Sequence, residues 1–242
     1  MATFVLVHGG GHRAWHWHLL RPWLAQLGHQ TIAPDVPMDE PRAGAADWAS
    51  AIVTALARAG DPDDVILVGH SLAGLAIPLV ADSIPVRRMV FLCANVPVPG
   101  LSYQEYLAEH PDAVIMPPVG LDADGRLSLC WPDARRLYYG DCEEAVARQA
   151  WEHLVPSVAL TAFTEQCPLQ AWPEVAASYI LCTEDRIIGP AWSRQVTSDR
   201  LGGPAIELPG SHSPMLSRPR SLAHALDAVA ESPVSGESSG SF

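Results

Sequence analysis

The 242-residue sequence predicts an α/β protein, with a mostly parallel six-stranded sheet and helices on both faces. Two observations predict it. Short runs of β-branched and apolar residues show no polar face, as strands buried on both sides do. These runs alternate with longer segments whose apolar residues recur every three to four positions. The chain is also long enough to bury a substantial core without metal or disulfide support.

The elements follow in order. TFVLVHG (3–9) reads as a buried strand. AWHWHLLRPWLAQLG (14–28) reads as a helix, with Trp15, Leu19, Trp23 and Leu27, or else Leu20 and Leu24, at helical spacing and Gly28 as its stop. TIAPD is a short strand ending at Asp35. DWASAIVTALARAG carries Trp48, Ile52, Ala55 and Leu56 on one helical face and ends at Gly60. DVILVG (64–69) is a strand, followed by a helix after Ser71 in which Pro78 removes a backbone donor and predicts a kink or early break. RRMVFLCA, SYILCTE and AIELPG supply three more strands. PAWSRQVTSDRLG and RSLAHALDAVA supply the last two helices.

Between the fourth and fifth strands, 96–174 is proline-rich and lacks a clear buried strand, but contains the helical stretch CEEAVARQAWEHL. It reads as a mainly helical cap inserted into a core made of 1–95 and 175–231. The Ser-, Gly- and Glu-rich end, 232–242, reads as a flexible tail.

Composition narrows the function. A net charge of −12 argues against nucleic acid and against an acidic membrane surface. Five cysteines form no CxxC pair and no zinc spacing, which suggests reduced thiols and a cytoplasmic protein. The N-terminus lacks a basic leader region, and the longest apolar run, Leu72 to Ala81, is too short to span a bilayer.

The chemistry concentrates where strands end. Gly69-His70-Ser71-Leu72-Ala73-Gly74 has the strand–turn–helix context of a nucleophile elbow, whose sharp turn demands small neighbours. The alternative is a serine that merely caps a helix. A serine hydroxyl needs a base. His212, in the loop after the last strand, is the candidate, and Asp185, after SYILCTE, is the carboxylate that would fix its tautomer. Glu184 competes with Asp185. The order Ser…Asp…His, with each residue at a strand end, makes coincidence improbable. The glycine loop HGGGHRAW places the backbone N–H of Gly10 beside that of Leu72, a two-donor oxyanion hole in which each donor contributes on the order of 3–4 kcal/mol.

The same loop has two other readings. Gly9, Gly11 and Ala14, with Asp35 about twenty residues on, fit a dinucleotide fingerprint. That reading leaves Ser71, Asp185 and His212 unexplained and crowds a pyrophosphate with His12 and Arg13. His12, His16 and His18 lack a Cys, Asp or Glu partner for a metal. No cofactor and no metal are expected.

FVLVHGGGHRAWHWHLL, VGHSLAG, YILCTEDR and GSHSPMLSRP together resemble the α/β-hydrolase branch of plant methylesterases, salicylate-binding esterases and hydroxynitrile lyases, with their bacterial relatives. LYYGDCEEAVARQAWEHLVPSVALTAFTEQC is similar to that branch's last cap helix. The resemblance implies the α/β-hydrolase fold, Ser71, Asp185 and His212 as a triad, and Gly10 and Leu72 as oxyanion donors. The hydroxynitrile lyases carry a threonine after the first-strand histidine and a lysine after the catalytic histidine. Here Gly9 and Ser213 stand there, which argues against cyanide chemistry. Ala73 replaces the elbow's usual second glycine.

The expected activity is hydrolysis of small carboxylic esters through an acyl-enzyme, with Trp131, Leu129, Tyr103 and Phe163 as candidate pocket residues. Alternatives are a lyase or cyclase of the same fold using His-mediated proton transfer in secondary metabolism, and a non-catalytic small-molecule receptor. A homodimer is compatible with the sequence.

Overall fold

The computed structural model describes residues 1–115, 129–156 and 160–233. Its six strands are β1 (Thr3–Val7), β2 (Gln30–Ile32), β3 (Val65–His70), β4 (Arg88–Leu92), β5 (Ala176–Cys182) and β6 (Ile206–Leu208). They lie in the order β2-β1-β3-β4-β5-β6, and every neighbouring pair is parallel. β1, β3 and β4 are buried along their whole length, whereas β2 and β6 at the edges are only partly so. The unbroken apolar runs therefore mark central strands covered on both faces.

The helices are α1 (Arg21–Gln26), α2 (Ala45–Arg58), α3 (Ile77–Ser83), α4 (Tyr103–Glu109), α5 (Trp131–Leu137), α6 (Glu144–Glu152), α7 (Leu160–Thr164), α8 (Pro190–Val196), α9 (Pro214–Ser217) and α10 (Pro219–Glu231). In α2, Trp48, Ile52 and Leu56 are buried as their spacing requires. No helix among the described residues is long and apolar enough to cross a membrane.

β2 ends at Ile32, short of the Asp35 expected for it, and three helical segments also differ from their sequence reading. The single helix expected over 14–28 is a 3₁₀ turn, Ala14–Trp17, followed by α1. Pro22 has no N–H to continue a helix and sits in the first turn of α1, where none is needed. Pro78 acts likewise: a 3₁₀ turn, Ser71–Leu75, precedes α3, and Pro78 falls in the first turn of α3. The helix after β5 is α8 followed by a π turn, Thr197–Leu201, stopped at Gly202 with φ 81°.

Between β4 and β5 the chain carries α4 to α7 and adds no strand to the sheet among the described residues. Hydrogen bonds at several points tie this segment to core loops. Ala45 N–H donates to Glu165 Oε1 at the start of α2 (2.6 Å), Val155 N–H to the Gly11 carbonyl (2.9 Å), and Ser211 N–H to Asp141 Oδ1 (3.1 Å). Of the tail, 234–242 lie outside the described residues. The Ser232 and Pro233 carbonyls both accept from Arg88 Nη2.

Packing around the turn after β3 is tight. A Cβ on Gly74 would stand 2.0 Å from the Asn95 carbonyl oxygen. That backbone is held in place by the bond from Asn95 N–H to the Ser71 carbonyl (3.1 Å). Gly74→Ala is therefore expected to destabilise the fold by about 1–3 kcal/mol, read as a lower urea midpoint. An unchanged midpoint would show that the contact relaxes freely.

Candidate active site

Because all six strands run the same way, their carboxyl ends share one edge of the sheet. Ser71 follows β3, Asp185 follows β5, His212 follows β6 and Gly10 follows β1.

Ser71 has φ 54°, in the left-handed region that a non-glycine residue occupies only under constraint. Its neighbours leave no slack. A Cβ on Gly9 would lie 2.8 Å from Ser71 Cβ and 2.9 Å from His70 Nδ1, so position 9 must be glycine in this packing. A Cβ on Gly69 would press on Ile77 at 3.0 Å. Ala73, in place of the usual glycine, is fully buried within the 3₁₀ turn.

Asp185 and His212 meet directly. His212 Nδ1–H donates to Asp185 Oδ2 at 2.8 Å, with His212 fully buried and Asp185 nearly so. The other carboxylate oxygen, Oδ1, accepts from Ile187 N–H (2.8 Å) and Ile188 N–H (3.1 Å). Both oxygens are thus fixed, and Nδ1 carries the proton. The rival Glu184 is exposed. His212 Nε2 is buried and has no hydrogen-bond partner among the described residues, the Ser71 hydroxyl included.

His70, not singled out from the sequence, joins the elbow to the histidine loop. Its Nε2–H donates to the His212 carbonyl at 2.9 Å, and the two rings lie 4.6 Å apart. Burial, then the neighbouring His212, lowers its pKa well below the usual value, so it stays neutral.

The glycine loop is held by histidines whose tautomers follow from their partners. His8 Nε2 accepts from Val36 N–H (3.0 Å), so the proton lies on Nδ1 and is donated to the Gly9 carbonyl (2.9 Å). In a planar trans peptide the Gly10 N–H must then point the opposite way. His12 Nδ1–H similarly holds the Gly10 carbonyl (2.9 Å), which leaves its Nε2 to accept from the Tyr139 hydroxyl (3.2 Å). With its O–H directed at His12, Tyr139 Oη accepts from His16 Nε2–H (3.2 Å), and His16 Nδ1 is left buried without a partner. Burial lowers the pKa of His8 to about 4 and those of His12 and His16 well below the usual value.

Asp35, the acid that a dinucleotide fold would aim at a ribose, instead accepts from Ala14 N–H at 2.7 Å. Cys93, Asp185 and His212 each bring one donor atom within 4.8 Å of the others. The set does not suit a resident cation. His212 and Asp185 are spent on each other, and burial first, then Cys182, pushes the Cys93 thiol far up, so it stays neutral.

The four candidate pocket residues fall into two groups. Tyr103 packs against Phe163, with ring centroids 5.6 Å apart and the planes tilted by 39°. Trp131 packs on Trp151 at 5.8 Å and lies under the Arg148 guanidinium, and the Leu129 carbonyl accepts from the Trp151 indole (3.2 Å). Tyr138 and Asp141, which the sequence reading passed over, come to the histidine loop from the segment between β4 and β5. Tyr138 stacks on His212 at 5.9 Å, and Asp141 accepts from the Ser211 amide and hydroxyl and from Arg218 Nε.

Unfolding exposes His8, His12, His16 and His70 to water, where they titrate near pH 6.5. Their folded values are depressed, so between these limits the unfolded chain binds more protons. Stability is then fully present above about pH 6.5 and falls as the pH drops toward about 4. Urea midpoints measured from pH 7 to 4 should show this slope, and His16→Met should make it shallower by about one proton. A wild-type midpoint that stays flat across the window would contradict the neutral cluster.

The family model described as "Alpha/beta hydrolase family" matches residues 4–225. The chain is 29% identical over 265 residues to norfluorocurarine synthase 2 of a Strychnos species, covering 94% of this chain and 95% of that one. It is 26% identical over 254 residues to methylesterase 9 of Arabidopsis thaliana, covering 96% and 99%. A solved extracellular α/β-hydrolase from a Paenibacillus species superposes with a TM-score of 0.78 at 24% identity, covering 96% of this chain and all of that one. With its parallel sheet and the extent of these matches, the chain belongs to the α/β-hydrolase family.

Proposed function

We propose that the chain is a serine hydrolase of small carboxylic esters. The observation that carries this reading is the buried Asp185–His212 pair, whose Nδ1 is committed and whose Nε2 is left unclaimed beside the elbow. In this mechanism His212 Nε2 takes the proton of Ser71 Oγ as the oxygen attacks the ester carbonyl. The Gly10 and Leu72 N–H groups receive the tetrahedral oxyanion. Leu72 supports that role because it is the second residue of a 3₁₀ turn, where early N–H groups lack intrahelical partners. His212 then protonates the leaving alcohol, and water, activated by the same nitrogen, releases the acid and restores Ser71. Asp185 holds the imidazole in its useful tautomer and stabilises the imidazolium. The segment 96–174 acts as a cap on the core formed by 1–95 and 175–231, a role supported by its hydrogen bonds to core loops.

A second reading rests on the missing hydrogen bond between Ser71 and His212 Nε2. There, His212 moves a proton to or from the substrate without an acyl-enzyme, as a lyase or cyclase would. The relative named a synthase is compatible with it. Turnover of methyl, aryl and lactone esters in oxygen-18 water separates the readings. A hydrolase must place label in the acid, and Ser71→Ala is expected to lower kcat by about 10⁴-fold or more. Unlabelled product, or an undiminished Ser71→Ala rate, contradicts the hydrolase. Absence of turnover on every ester, with binding retained, favours a receptor.

A further inference from the structure

Tyr138, the residue after α5, is 7% exposed. Its ring stacks on His212 (5.9 Å, 28° between planes) and meets the His12 ring edge-on (4.9 Å, 65°). Its hydroxyl oxygen lies 3.9 Å from the place a Cβ on Gly11 would take, next to the Gly10 peptide. Asp141, three residues on, clamps this stretch to the histidine loop through Ser211. The phenol therefore has a fixed place between the glycine loop and the proposed base.

The other tyrosines near the sheet edge show what is unusual. Tyr139 Oη is bonded to His12 and His16, Tyr179 Oη to Ala94 and Ser193, and Tyr106 Oη to the Trp192 indole. Tyr103 Oη is unpartnered but sits among Tyr106 and Phe163. Tyr138 Oη has no hydrogen-bond partner among the described residues, yet it borders the two loops that carry the proposed chemistry. A donor held beside a reaction site without a protein partner is available to an acceptor on a bound substrate. Burial pushes its pKa up to about 12, so at neutral pH it is an O–H donor.

We propose that Tyr138 is a specificity-determining residue whose hydroxyl donates to a second oxygen of the substrate, an ether or carbonyl acceptor close to the reacting ester carbonyl. This rests on the hydrolase reading for the position of the ester. It assigns the chain a preference for esters with a neighbouring oxygen function over their hydrocarbon counterparts. A site built to donate a hydrogen bond discriminates against a ligand lacking the acceptor, because its own polar group then goes unpaired.

Two isosteric pairs test this: methyl methoxyacetate against methyl butanoate for the acid side, and 2-methoxyethyl acetate against butyl acetate for the alcohol side. Within each pair the quantity read is the kcat/KM ratio, compared between wild type and Tyr138→Phe, so intrinsic ester reactivity cancels. At least one ratio is expected to fall about fivefold or more in Tyr138→Phe. A smaller change in both ratios overturns the proposal, whatever happens to the absolute rates. Dissociation constants for the same pairs, in Ser71→Ala and in Ser71→Ala with Tyr138→Phe, read recognition without chemistry. If Ser71→Ala still hydrolyses esters, the nucleophile assignment fails, while these binding ratios decide the role of Tyr138 independently.

Discussion

One backbone constraint underlies the architecture of this site. Ser71 stands at φ 54° between a fully buried strand and a 3₁₀ turn. That conformation persists only because glycine backbones close in from three sides. Gly9 admits no Cβ against Ser71 and His70, Gly69 none against Ile77 without displacement, and Gly74 none against the Asn95 carbonyl. The strain is over-determined by packing, as expected where a hydroxyl is held in a fixed place at the end of a buried strand. It also accounts for a sequence difference. The threonine that hydroxynitrile lyases carry after the first-strand histidine has no room at Gly9 in this chain.

Around the elbow, electrostatics is arranged by burial more than by charge. His8, His12, His16 and His70 stay neutral, and each uses a ring N–H to fix a neighbouring group: Gly9 O, Gly10 O, Tyr139 Oη and His212 O. Their tautomers form a consistent chain from Val36 to Tyr139, so the glycine loop and the histidine loop are set by hydrogen bonds with defined direction. A protonated histidine here would be an unpaired buried charge. The neutral surroundings leave the carboxylate of Asp185 as the local partner for any positive charge that develops on His212.

The sheet was legible because burial on both faces writes itself as uninterrupted apolar runs, and β1, β3 and β4 carry those runs. The meeting of His212 with Asp185 was legible because both follow strands of one parallel sheet. Helix interiors near proline were less so. Side-chain spacing in 14–28 is helical, but Pro22 divides the segment into two turns of different kinds. The supporting residues stayed hidden for another reason. His70, Asp141 and Tyr138 act through partners 142, 70 and 74 positions away in the chain, and no local pattern marks such contacts.

The account turns on whether the oxygen of Ser71 becomes reactive through the unclaimed nitrogen of His212. Intact-mass and peptide analysis after treatment with an aryl fluorophosphonate tests this most directly. The account predicts a single phosphonyl adduct on Ser71 in the wild type and labelling slowed by orders of magnitude in a folded His212→Ala variant. An adduct at another residue, or Ser71 labelling at the wild-type rate without the imidazole, would contradict it.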